Sequence, residues 1–290
     1  MAHDKQVDDV SGVEMTGHEW DGLRELNNPL PRWWLWTFYV TCAWAVVYWV
    51  LMPSWPLLDD YLRGVRGHSQ RAVVMEEVAA LQAQRATAGA GLQEVSLEEI
   101  QQTPDLLQFA MANGAAAFGD NCAACHGSGG QGATGYPNLN DDVWLWGGTL
   151  DEIHQTLLYG IRAEHDETRM GDMPAFGRDG ILNRQEIRAT ANHVLTLSGQ
   201  EPEEGADLAL GEELFVNNCA ACHGESGEGM RELGSANLAD HEWLYGGSLQ
   251  AVMASIDQGR AGVMPAWDAR LDPVTIKSLA VYVHALGGGE

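Results

Sequence analysis

The chain has 290 residues, with Lys+Arg 16 against Asp+Glu 41 and a formal net charge of −25, a length that suits two or three modules rather than one large core. A field of that sign repels phosphate-rich ligands, so nucleic acid is excluded as a partner, and it draws in basic proteins. Four of the five cysteines fall in two C-x-x-C pairs, which does not make a disulfide scaffold.

Residues 1–31 precede a run from Trp33 to Met52, WWLWTFYVTCAWAVVYWVLM, in which twenty consecutive positions carry no charge. That is the length one helix needs to cross the hydrocarbon layer. Trp and Tyr crowd both ends as interfacial anchors, and Pro53 and Pro56 stop the helix, so one transmembrane helix is expected over 32–53. A cleaved signal peptide fits poorly, because the run starts late and lacks a small-residue cleavage site. Cys42 is expected to pack against lipid or a neighbouring helix. Arginines flank both ends (Arg24 and Arg32 before, Arg63, Arg66 and Arg71 after), so positive charge does not orient the span.

Residues 54–111 read as a polar connector with helical character, containing the capping-box sequence SLEE at Ser96 to Glu99. TAGAGL between its helical stretches reads as a flexible break. From Gly114 a repeat begins. GAAAFGDNCAACHG returns as GEELFVNNCAACHG, NLNDDVWLWGGTL as NLADHEWLYGGSL, and MPAFG as MPAWD, so one fold is used twice. Each copy ends in a helical pattern, the second opened by Asp272 as cap and Pro273 at the first helical position. The expected division is a first module over 112–200, a Gly-, Pro- and acid-rich join over 201–210, and a second module over 211–290.

A C-x-x-C pair is a redox dithiol, half of a zinc site or a thioether anchor, and the following residue discriminates. His126 follows Cys122 and Cys125, and His223 follows Cys219 and Cys222. C-x-x-C-H is the attachment signature of haem c, with the histidine as proximal iron ligand. A zinc ribbon explains neither the histidines nor the duplicated flanks. Met173 and Met264, each followed by Pro, are the expected sixth ligands, their soft thioethers favouring reduced iron. Met170 is a weaker alternative in the first copy, and Met230 and Met253 read as packing. Pro137 is placed to offer its carbonyl to the ring N–H of His126, and Ala236 does the same in the second copy. Trp144 and Trp243 either wall the porphyrin or fill core. His154, His165, His193, His241 and His284 have no counterparts between copies and read as surface or core residues. No phosphate loop, H-E-x-x-H or serine elbow is present. Two irons closed by imidazole and sulfur make a redox relay.

DGLRELNNPLPRWWLWTFYVT, one membrane helix and two C-x-x-C-H modules together resemble the dihaem subunit (CcoP or FixP) of cbb3-type cytochrome c oxidase. The resemblance implies an all-α chain with one N-terminal transmembrane helix and two tandem class I cytochrome c domains carrying two covalently bound haem c groups. It implies single-electron transfer from a basic periplasmic cytochrome c toward a catalytic haem b and copper subunit, with a monohaem c subunit alongside. It carries the haem residues onto Cys122, Cys125, His126, Cys219, Cys222, His223, Met173 and Met264. Spacing favours each methionine serving its own copy, whereas the resemblance leaves the crossed pairing open. Thioether haems are attached outside the cytoplasmic membrane, so residues 1–31 are expected on the cytoplasmic side of the bacterial inner membrane and the haem modules on the periplasmic side. A dihaem peroxidase and a free-standing tethered carrier are the rival readings.

Overall fold

The computed structural model describes residues 6–290, so the first five residues of the expected cytoplasmic segment lie outside the described residues. The chain forms two compact units, Met1–Gln82 and Ala83–Glu290. The first opens with a hairpin that the sequence reading did not anticipate, β1 (Met15–Trp20) and β2 (Leu23–Leu26), paired antiparallel with Trp20 opposite Leu23. Asp21 and Gly22 both hold positive φ, the conformation a two-residue Asp-Gly turn requires. Arg24 bridges back to Glu19 across the strands at 3.0 Å.

Helix α1 (Arg32–Leu51) starts after Pro31 and ends at Met52, whose extended backbone precedes Pro53. None of its residues is buried, and it is long and apolar enough to cross a membrane. Its last carbonyls would lack partners, but the chain turns back. The amides of Val65 and Arg66 donate to Val50 and Leu51 at 2.9 and 3.1 Å. Gly64, at φ +70°, permits that approach, since a Cβ there would meet the Leu51 carbonyl.

Helix α2 (Gln70–Glu94) runs unbroken through TAGAGL, where a flexible break was expected. The small residues serve contact rather than flexibility. A Cβ on Gly89 would lie 2.9 Å from Val274 and one on Gly91 2.9 Å from Leu106, so the glycines let other helices pack close. Ser96 then caps α3 (Leu97–Gln102), accepting the Glu99 amide at 3.2 Å as the capping sequence predicts.

The remaining helices are α4 (Pro104–Asn121), α5 (Ala123–His126), α6 (Leu150–Tyr159), α7 (Arg184–Leu197), α8 (Leu208–Asn218), α9 (Ala220–His223), α10 (Leu249–Gln258) and α11 (Pro273–His284). They build two cores whose membership does not follow chain order. The first joins Leu92, Ile100, Phe118 and Leu157 to Ile276, Leu279 and Val281 of α11. The second joins Ile187, Val194 and Phe215 to Val252 and Ile256. Thus α4 of the first copy packs on α11 of the second, while α7 of the first packs on α8 of the second. The join at 201–210 therefore does not divide the two cores, in contrast to consecutive modules.

The exchange is symmetric in detail. Gly114 of α4 lies against the Ser278 carbonyl and Gly211 of α8 against the Ala189 carbonyl, neither leaving room for a Cβ. Phe118 meets Tyr282 with ring centroids 5.5 Å apart, and Phe215 meets His193 at 5.3 Å. Gly160 and Gly259 end α6 and α10 at positive φ, and there the chain crosses from one core to the other. Ile161 and Met264 exchange two backbone hydrogen bonds (2.9 and 3.0 Å), as do Met173 and Arg260 (2.9 and 3.1 Å). Each such bond contributes about 1 kcal/mol net.

Candidate haem sites

Cys122 ends α4 and Cys219 ends α8, and the short helices α5 and α9 follow at once. In each, the histidine amide donates to the first cysteine's carbonyl at 2.9 Å, closing one helical turn. The cysteines three apart and the histidine four from the first then share a face. Cys122 and Cys219 are buried while Cys125 and Cys222 are exposed, so each pair spans the boundary between core and surface. Burial pushes the Cys122 and Cys219 thiols up to about 11, with the partner thiol adding a smaller push in the same direction. The two pairs belong to different cores, so they do not assemble a four-thiolate site.

The Nδ1 of His126 lies 3.1 Å from the Pro137 carbonyl, and that of His223 lies 2.8 Å from the Ala236 carbonyl. A carbonyl can only accept, so Nδ1 carries the proton and Nε2 keeps its lone pair for iron. Burial holds His223 below the ordinary imidazole value, the Ala236 hydrogen bond opposing it more weakly. A neutral ring is what a ligand must be.

Met264 packs against the core that holds Cys122, and Met173 against the core that holds Cys219. The reason is the crossing: each methionine follows the strand that passes to the opposite core. Met170 is exposed at 67%, which removes it from either interior. Met253 packs on the second core, as expected of a filler, and Met230 pairs locally with Ser235. Trp144 packs on the first core and Trp243 on the second, and the Trp144 indole donates to the Gly288 carbonyl. The unpaired histidines take other partners: His165 binds Asp268 at 3.2 Å and lies over Tyr159, and His284 meets Gln101 at 3.1 Å. Cys42 is exposed on α1.

Each core therefore offers two thiols, one imidazole oriented by a carbonyl, one soft thioether and an apolar lining. That donor set fits a thioether-linked haem with histidine and methionine at the iron. The residues that sequence reading passed over are Arg162, Arg169 and Arg260, which cluster where the two strands cross. Their signal was faint, because an arginine in a repeat looks like a surface charge until its packing is known.

Comparison with known proteins matches residues 12–59 to a family described as the N-terminal domain of cytochrome oxidase-cbb3, FixP. Residues 111–198 match cytochrome c, and residues 206–283 match cytochrome C oxidase, cbb3-type, subunit III. The chain is 54% identical over 290 residues to the cbb3-type cytochrome c oxidase subunit FixP of Bradyrhizobium diazoefficiens, covering 100% of both chains. It is 52% identical to subunit CcoP of Azospirillum brasilense, covering 99% of each, and 50% identical to subunit CcoP of Cereibacter sphaeroides, covering 95% of each.

Proposed function

The chain belongs to the FixP/CcoP family of cbb3-type cytochrome c oxidase subunits, as a membrane-anchored electron-transfer subunit with two covalently bound haem c groups, and from that premise we propose its residue roles and its place in the relay. It accepts single electrons from a basic periplasmic cytochrome c and passes them toward the haem b and copper subunit that reduces oxygen, beside a monohaem c subunit. Residues 1–31 lie on the cytoplasmic side of the inner membrane and the haem-bearing part on the periplasmic side.

Haem c supplies one-electron exchange at its iron. Cys122 and Cys125 hold the first group and Cys219 and Cys222 the second, each by thioethers. His126 and His223 present Nε2, their rings fixed by the Pro137 and Ala236 carbonyls. The methionines cross: Met264 would serve the haem held at Cys122, Cys125 and His126, and Met173 the haem held at Cys219, Cys222 and His223. The observation that carries this reading is the reciprocal pairing of Ile161 with Met264 and of Met173 with Arg260, which commits each thioether to the opposite core. A haem held by both a histidine and a methionine would leave peroxide no place to bind, which favours a relay over a peroxidase.

The acidic surface supports the nature of the donor. Counting along the chain, residues 112–200 hold 11 acidic and 5 basic side chains, and residues 211–290 hold 11 and 4. A lysine-rich partner is steered by such a field, and salt screens it. The test is purification of the tagged chain in mild detergent, followed by stopped-flow reduction with a basic cytochrome c. Co-purification of haem b, copper and oxygen uptake, with reduction slowing as ionic strength rises, is expected. A lone dihaem protein would favour the free-standing carrier, and a rate indifferent to salt would remove the steering argument.

A further inference from the structure

Three arginines flank the place where the methionine strands cross, and none forms an ion pair among the described residues. The Nη2 of Arg169 donates to the Glu152 carbonyl and to Oε1 of Gln155, both at 3.2 Å, and its guanidinium lies 5.4 Å from the centre of the Trp146 ring. Its Nε is buried and finds no acceptor. Arg162, at φ +51°, donates from Nε to the Gly262 carbonyl at 2.6 Å and from an Nη to the Gly171 carbonyl. Arg260 lies 4.1 Å over Tyr245 and donates only to the Ser255 hydroxyl from its side chain.

The backbones tie this cluster to the crossing. Arg162 donates to the Arg169 carbonyl at 2.8 Å, Arg169 to the Gly160 carbonyl at 3.2 Å, and Arg260 pairs with Met173. Trp146 and Tyr245 occupy equivalent places in the two copies, and each packs against a glycine of the other copy, Gly234 and Gly135. The cations thus lie along a seam shared by both halves.

Glu152 lies near Arg169 and Asp172 near Arg162, yet neither comes within ion-pair distance, so in a chain with 41 acidic residues these half-buried guanidinium groups keep donor capacity to spare. Cations are seldom buried without a partner, and a buried N–H without an acceptor is destabilising. The buried Arg169 Nε in particular calls for an acceptor that no residue beside it supplies. Each haem c brings two propionate carboxylates, and the planar Nε/Nη edge of a guanidinium binds a carboxylate through paired hydrogen bonds.

We propose that Arg169, supported by Arg162 and Arg260, receives a haem propionate on its Nε edge and thereby raises the potential of that haem. The inference rests on the haem reading above. The sign follows from charge: the ferric centre carries one positive charge more than the ferrous, so a nearby guanidinium favours reduction.

The full chain is purified with both haems attached, and Arg169→Gln and Arg169→Lys are compared with it by haem content, redox titration and resonance Raman spectroscopy of the propionate bending mode. Arg169→Gln should keep two haems, shift that mode and lower one potential by about a tenfold change in the ferric-to-ferrous ratio, about 59 mV for one electron. Arg169→Lys keeps the charge but not the fork, so it should restore most of the potential and leave the mode shifted. An unmoved mode in Arg169→Gln overturns the contact, whether or not a potential falls. Should that variant fail to mature, Arg169→Lys carries the decision by the same mode, a shift supporting the contact and its absence overturning it. A parent chain without haem would instead sink the haem reading.

Discussion

Replacing Met264 with Ala separates crossed from within-copy ligation, because the two arrangements assign the vacancy to different haems. Met264 packs, half-buried, against the core built on Phe118, Leu157 and Leu279. Methionine-to-alanine changes in a core cost about 2–5 kcal/mol, and half-burial places this one near the lower end, at about 2 kcal/mol before any iron–sulfur bond is counted. For a unit of this size 1 kcal/mol moves the melting temperature by about 2–4 °C, so a fall of about 4–8 °C is expected from packing alone. The decisive assay is proton NMR of the reduced protein, in which the porphyrin ring current moves each ligating methionine methyl far upfield. Met264→Ala should remove the resonance whose Overhauser contacts run to the haem attached at Cys122 and Cys125, and leave the other in place. Met173→Ala should do the reverse. Loss of the resonance at the haem on Cys219 and Cys222 in Met264→Ala would refute the crossing, and with it the claim that strand exchange decides ligation.

Other outcomes follow from the same contacts. Gly114→Ala and Gly211→Ala drive a Cβ into the Ser278 and Ala189 carbonyls; each should cost about 1–3 kcal/mol by overpacking, read as matched losses in thermal unfolding. Lys277 donates to the carbonyls of Leu92, Gln93 and Val95 at 3.1, 3.1 and 2.7 Å, closing the C-terminal end of α2. Lys277→Met should destabilise by about 2 kcal/mol and speed amide exchange in residues 92–97 first; unchanged protection there would contradict the capping role. Burial holds the His154 imidazole below its ordinary value, with Lys277 acting in the same direction and Asp151 opposing. Below a pH of about 6.5 the unfolded chain takes up a proton that the folded one refuses, so stability is lost as pH falls and unaffected above. His154→Gln should flatten that acid limb in melts between about pH 7 and 5.

Legibility in the sequence tracked how local the physics was. The haem boxes were plain because covalent attachment fixes two cysteines and a histidine within one helical turn, a constraint that needs no knowledge of the rest of the chain. The membrane helix was plain because a run from Trp33 to Met52 without charge answers to bilayer thickness alone. The carbonyls behind His126 and His223 were found by the same short-range logic. The crossing was not legible: Met173 and Met264 have similar spacings from their own histidines whichever core they enter, and spacing along a chain does not say which side of a neighbour it passes. TAGAGL failed for a related reason. Gly89 and Gly91 have the composition of a flexible linker, but Val274 and Leu106 come to meet them from distant sequence. The β1–β2 hairpin was missed because its four-residue second strand is fully exposed and so carries no burial pattern to read.

Exchange of strands also bears on why two haem modules are fused in one polypeptide. A relay transfers electrons reproducibly only if the distance between its centres is fixed, and two domains on a flexible join would let it vary. Here residues 201–210 are not free to act as a hinge. Glu203 makes a two-pronged contact with Arg188 at 2.7 Å, and its amide donates to the buried Asn192 at 2.8 Å. The exposed ion pair contributes little by itself, but the crossing does not depend on it: separating the two copies would break four backbone hydrogen bonds at Ile161, Met173, Arg260 and Met264 together, and would strip α11 from α4 and α7 from α8. Sub-global opening of that kind exposes two cores at once, so it approaches the cost of global unfolding. The duplication therefore gives more than two copies of a carrier, since neither copy completes a core without the other and the fold itself joins the two.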